Sequence, residues 1–223
     1  MSSPPKAATT FTIKGARVFD GRALIPSNMV VVENGRIRDV GRMLAHHPDG
    51  ELIDGTGCTL LPGLIDSHTH LVPGALRQAL TFGVTTELDM GTDCKIAADV
   101  KRKQADGELL DSADLLSAGT MITAPGGHGT EYGYKVPTIR GPEEAQTFVD
   151  ERISEGSDYI KVIYDDGASY GPSRPTISKE TLLAVIRAAR ARKKLSLVHA
   201  VTYRECCDAI ECGCDGLAHL FAD

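Results

Sequence analysis

The sequence predicts an α/β protein, a parallel sheet covered by helices and preceded by a small β module. Three observations predict it. From Leu64 onward, short apolar runs alternate with helical stretches, as expected of βα units feeding a parallel sheet. Before Leu64, β-branched runs are separated by turn residues, with Asn34-Gly35 between two of them, a strong hairpin signal. The two regions meet at Leu61-Pro62-Gly63-Leu64-Ile65-Asp66-Ser67-His68-Thr69-His70. There an apolar run ends in two histidines two residues apart, and Pro73-Gly74 closes it.

Met1 to Thr10 is polar and rich in Pro, Ala and Thr, without an apolar h-region, and reads as a loose, disordered tail. Residues 11–62 read as the small β module. A strand pair or bent strand covers 12–20, the hairpin runs from Met29 to Val40, and further strands lie at 51–54 and 59–61. This module is too thin for a good core of its own. Residues 63–223 carry six candidate βα strands, at 64–70, 84–90, 115–124, 159–164, 195–200 and 217–221. Helices are predicted at 76–82, 95–105, 142–155, 179–192 and 203–212. Pro142 before two glutamates marks a helix start, and Ser178 is an N-cap. Gly83, Gly156 and Gly213 each end a helix before a strand. No G-x-G-x-x-G follows a first strand, so a dinucleotide-binding version of the α/β class has no support.

The polar residues on these strands carry the functional reading. In a strand, i and i+2 share a face, so His68 and His70 point the same way. Two converging imidazoles are half of a divalent-metal site. Lys161 sits inside the apolar run Tyr159-Ile160-Lys161-Val162-Ile163, which is costly unless the amine is paired, with Asp165 or Asp166 for instance, or modified. His199 and His219 end two later strands. Four of the seven histidines and one out-of-place lysine therefore occupy the C-terminal halves of parallel strands, where βα folds build active sites. Asp66 shares their parity and is a candidate to orient the histidines, or a structural carboxylate. The glycine-rich loop Ala124-Pro125-Gly126-Gly127-His128-Gly129-Thr130 lets backbone approach a ligand. Tyr132 and Tyr134 follow it and are candidates to line a pocket.

Composition narrows the alternatives. The chain has 223 residues, is 42% hydrophobic and carries a net charge of −6. No basic stripe is present, which argues against a nucleic-acid partner. No apolar run is long enough for a membrane span. Six cysteines in a chain without an export signal read as reduced thiols of a cytoplasmic protein. Cys206, Cys207, Cys212 and Cys214 are bunched but lack CxxC spacing, so a zinc knot is the weaker reading and buried thiols on a helix and its C-terminal turn the stronger.

The segments 62–70, Gly83-Val84-Thr85-Thr86, Ile160-Lys161-Val162, Val198-His199-Ala200 and Ala218-His219-Leu220 together resemble the metal-dependent amidohydrolase superfamily. The Lys161 segment resembles its binuclear branch of imidazolonepropionase-like dipeptidases and prolidases. The resemblance implies a distorted (β/α)8 TIM-type barrel, with residues 11–62 contributing to a flanking composite β-sandwich. It implies two divalent ions, expected to be zinc, with His68 and His70 on the more buried one and His199 and His219 on the other. Lys161, carboxylated by CO2, would bridge them. A desolvated neutral amine can add CO2 to give an anionic carbamate with two ligand oxygens. Two such ions activate a water and polarise a carbonyl, so the implied reaction is hydrolysis of a C–N bond in a small amide, dipeptide-like or cyclic amide substrate. His128 would contact that substrate.

The sequence departs from the family in one respect. The family places an aspartate at the end of an eighth strand, as metal ligand and proton shuttle, and no residue here takes that place. Length after Leu64 falls short of the ~250 residues of a full barrel. The expectation is a barrel of about six βα units, C-terminally truncated, whose open edge favours self-association. A one-metal deaminase or ring hydrolase without Lys161 as ligand, and a non-catalytic metal-binding remnant, are the rival readings.

Overall fold

A computed structural model describes residues 10–41 and 50–223. The expected tail lies outside the described residues apart from Thr10, which already belongs to the first strand. The chain divides into two compact units, Met1–Gly63 and Leu64–Asp223.

Among the described residues the first unit is all β. Its strands are β1 (Thr10–Lys14), β2 (Arg17–Phe19), β3 (Leu24–Ile25), β4 (Met29–Glu33), β5 (Arg36–Gly41), β6 (Glu51–Asp54) and β7 (Thr59–Leu60). They form a four-stranded sheet in the order β5-β4-β1-β6 and a three-stranded one in the order β3-β2-β7. The hairpin at Asn34-Gly35 forms: both residues are left-handed (φ 52° and 73°) and join antiparallel β4 and β5. Such a turn matches the strands' own twist. The β-branched run of β4 supplies much of the buried surface, with Met29, Val30 and Val31 all inaccessible.

The second unit alternates strand and helix. It runs β8 (Leu64–Thr69), α1 (Ala75–Thr81), β9 (Val84–Asp89), α2 (Cys94–Ala105), β10 (Asp114–Ser117), a 3-10 turn (Pro142–Glu144) leading into α3 (Ala145–Ser154), β11 (Ile160–Ile163), α4 (Lys179–Ala191), β12 (Ser196–His199), α5 (Tyr203–Glu211) and β13 (Gly216–Leu217). All strand pairs are parallel, in two sheets ordered β10-β9-β8 and β11-β12-β13. A single parallel bridge, Ile122 to Val162, connects the two, through Ile122 N to Lys161 O and Ile163 N to Ile122 O, each 2.9 Å. This is a TIM-barrel-like α/β arrangement in which neither sheet closes on itself.

Two expected strands are shorter than the sequence suggests. The run at 115–124 pairs only over Asp114–Ser117, because Gly119 adopts φ +59° and its N–H turns back to Ser117 Oγ, which ends the ladder. The run at 217–221 pairs only over Gly216–Leu217, so His219 lies just beyond a strand and not within one.

The core gathers between sheet and helices, around Ile122, Val149, Ile160, Val162, Leu182, Val185, Ile186 and Val198. Helix α4 shows why it packs there. Its buried residues Leu182, Val185, Ile186 and Ala189 recur at three- and four-residue spacing, one stripe of a 3.6-residue helix. Ser178 caps its N-terminus through the Thr181 N–H. Thr202 and Glu205 form a capping box at α5. No described helix is long and apolar enough to cross a membrane.

Candidate metal centre

The C-terminal ends of the parallel strands bring the polar residues together. His68 is in β8 and His70 follows it directly. Their rings converge, with centroids 5.6 Å apart. Each ring is fixed by a main-chain carbonyl: His68 Nδ1 lies 2.9 Å from Ala218 O and His70 Nδ1 lies 3.1 Å from Gly91 O. A carbonyl only accepts, so Nδ1 carries the proton in both and the Nε2 lone pair is left as a ligand.

Asp66 does not play the expected part. The β8–β9 register shifts between Asp66 and Thr69, which breaks the parity that sequence spacing assumes. Asp66 is exposed and accepts only from the His68 main-chain N–H.

Lys161 lies inside β11 and is 4% exposed. Its Nζ makes no hydrogen bond or ion pair among the described residues. In particular, Asp165 turns elsewhere, accepting from Gly167 N at 2.9 Å, from the Tyr170 hydroxyl and from His199 Nε2 at 3.1 Å. Burial pushes the Lys161 amine down to about 8, against a weaker opposing pull from Asp89. His199 ends β12, and His219 Nε2 lies 2.7 Å from its Nδ1. Burial, with neighbouring His219 and Lys161, pushes His199 down to about 3. Burial and Lys161 push His219 down to about 4. Burial also lowers His68. These imidazoles are therefore neutral at pH 7, with lone pairs available.

His128 occupies the loop after Ala124, where Gly126 and Gly129 are left-handed. Its ring sits 4.9 Å from that of His199. Glu131 holds Nδ1 at 2.9 Å and the Tyr132 hydroxyl approaches Nε2 at 3.1 Å. Tyr132 reaches the cavity. Tyr134 instead packs behind it against Met121, Val136 and Ile163.

His68, His70, Lys161, His199, His219 and His128 line one cavity of about 160 Å³, with Met90, Met121, Tyr132 and Ile163. No carboxylate lines it. A larger groove of about 520 Å³ runs between α3 and α4, but it gathers no such set of donors. Several imidazole nitrogens converging on one cavity are donors that a divalent cation takes, and the donor set fits such a centre.

The sequence offers Asp165 only as a partner for Lys161, whereas its carboxylate pairs with His199 across the β11–β12 pair. Asp165, Asp166 and Glu205 bring carboxylate oxygens within 4.8 Å of one another, but main-chain donors occupy much of that cluster. Glu205 accepts from Asp166, Val201 and Thr202, and Asp166 from Ala168. The bunched cysteines are free thiols on α5 and its C-terminal turn, with Cys206 and Cys212 buried.

Residues 59–215 match the model of the Amidohydrolase family. The chain belongs to that family. Among curated amidohydrolase relatives, it is 47% identical over 60 residues to a dihydroorotase from Trichlorobacter lovleyi, covering 26% of this chain and 14% of that protein. It is 34% identical over 125 residues to an imidazolonepropionase from Idiomarina loihiensis, covering 50% and 31%. A crystal structure of a prolidase complexed with N-methylphosphonate-L-proline superposes with a TM-score of 0.79 at 23% identity, covering 96% of this chain and 62% of that one. The chain thus spans well under half of those two relatives and about three fifths of that prolidase.

Proposed function

We propose that the cavity is a binuclear metal centre, in which His68 and His70 hold one divalent ion, His199 and His219 the other, and Lys161 bridges them as a carbamate. The observation that carries this reading is the convergence of four imidazoles and an unpaired buried lysine on one cavity. Burial lowers the amine from 10.5 to about 8, so near neutral pH a far larger fraction is in the neutral form that adds CO2 than for an exposed lysine. The adduct would also remove the uncompensated buried cation. When bound, the ions, expected to be zinc, one of the metals that imidazole ligands suit, would lower the pKa of a water and polarise a carbonyl.

The reaction is then hydrolysis of a C–N bond in a small amide, dipeptide or cyclic amide. His128, anchored by Glu131 at the cavity's edge, contacts the substrate. The cavity lacks the carboxylate that would carry a proton to the leaving nitrogen. General acid–base groups contribute ~10²–10⁴-fold, so these 223 residues by themselves are expected to bind metal and hydrolyse slowly. β8 and β13 each pair on one side only, and these open edges support the reading of a partial barrel, of about six βα units, prone to self-association. Six free cysteines fit a reducing cytoplasm.

The test is carbamate detection. With 13C-labelled bicarbonate and zinc, the wild-type chain should show a carbamate carbon resonance that Lys161→Arg lacks, and Lys161→Arg should lose about one ion per chain. A zinc-loaded wild type with unmodified Lys161 and one ion would favour the one-metal deaminase or ring hydrolase.

A further inference from the structure

We propose that Asp165 is the positioning residue for His199: its carboxylate holds the ring in the Nε2–H form, so that the Nδ1 lone pair points towards His219 in the cavity wall. This rests on the metal reading above.

The geometry is specific. Asp165 follows β11, and its side chain is wholly buried. A carboxylate only accepts, and three donors converge on this one: Gly167 N at 2.9 Å, the Tyr170 hydroxyl and His199 Nε2 at 3.1 Å. His199 must therefore carry its proton on Nε2. The other side of the ring agrees. His199 Nδ1 and His219 Nε2 are 2.7 Å apart, too close for two facing lone pairs, so His219 donates and His199 Nδ1 accepts. That lone pair therefore points towards His219, which lines the cavity with His199.

Asp165 is not itself a lining residue, and its oxygens are already engaged. Its action on the site runs through His199. The other two fixed rings, His68 and His70, lean on neutral carbonyls. Of the four proposed ligand histidines, His199 alone has a carboxylate bonded to its ring among the described residues, which makes the hydrogen bond charge-assisted and the ring a stronger donor to a cation. Tyr170 completes the arrangement from outside, donating to Asp165 from a residue that is 57% exposed.

The experiment reads ring 15N shifts of the metal-free full chain and zinc affinity by chelator competition, for wild type, Asp165→Asn and Tyr170→Phe. Wild-type His199 should be in the Nε2–H form. Asp165→Asn should show mixed tautomers and bind zinc ~10–100-fold more weakly. Tyr170→Phe keeps the carboxylate and should keep the tautomer. A merely structural Asp165 would lower thermal stability in Asp165→Asn but leave its tautomer and zinc affinity as in wild type, and that result overturns the proposal. An Nδ1–H ring in wild type also overturns it, whether or not Asp165→Asn folds. A wild type that binds no zinc removes the metal reading and this inference together. Equal zinc affinity in wild type and Asp165→Asn removes the inference alone.

Discussion

Replacing Lys161 by methionine should stabilise the metal-free protein while destroying its metal site. The lysine is 4% exposed and lacks a counter-ion, and burial brings its amine from 10.5 to about 8. At ~1.4 kcal/mol per pH unit, that drop corresponds to roughly 3 kcal/mol of penalty for burying the charged form. Methionine fills a similar volume without a charge, so at pH 7 the chelator-treated variant should gain about 2–3 kcal/mol, or on the order of 5–10 °C in Tm. The pH dependence has a definite sign. Below pH 8 the lysine is protonated in both states and the penalty is complete. Between pH 8 and 10.5 the unfolded chain binds a proton that the folded chain does not, so wild-type stability rises with pH. The methionine variant lacks this rise. Urea unfolding of both proteins after chelation, at pH 7 and at pH 9.5, reads the difference. A methionine variant less stable than wild type at pH 7 would refute the reasoning, since it would mean that the ammonium is well satisfied in the folded state.

Gly91→Ala should weaken metal binding, because Gly91 has φ +155° and an added Cβ would collide with the Met121 methyl, displacing the carbonyl that fixes His70. Zinc titration should show about a tenfold loss or more, and an unchanged affinity would discount that carbonyl. His128→Ala should leave zinc content unchanged while weakening binding of an N-acyl amino acid or dipeptide, measured by calorimetry; a drop in zinc content instead would make His128 a ligand. Acid should destabilise the metal-free chain. His199 and His219 titrate near 3 and 4 when folded and near 6.5 when unfolded, so the unfolded state binds more protons in that window. Stability should fall by about a few kcal/mol from pH 6.5 towards pH 4, and a flat profile by urea titration would contradict the buried neutral imidazoles.

The sequence makes the cavity residues legible because they hang on strand ends. Period-two spacing brings His68 and His70 to one side. A lysine within an apolar run stands out chemically, and His199 and His219 follow strand-length runs. The Asn34-Gly35 hairpin is legible for a similarly local reason, since few residue pairs tolerate two left-handed positions. What escapes is geometry without a local pattern. The register shift that turns Asp66 outward is set by pairing with β9, and the left-handed Gly119 cuts a strand that composition alone would continue. The carbonyls of Gly91 and Ala218, which set two histidine tautomers, have no side-chain signature at all. Asp165 lies in an irregular segment, and its value depends on a His199 nitrogen reached only when β11 and β12 pair.

The central claim is that these side chains form one divalent-metal centre, and elemental analysis of the chain purified without chelator tests it most directly. The account predicts about two divalent ions per wild-type chain, falling to one or fewer when His68→Ala and His70→Ala are combined. Equal metal content in wild type and double variant would contradict it.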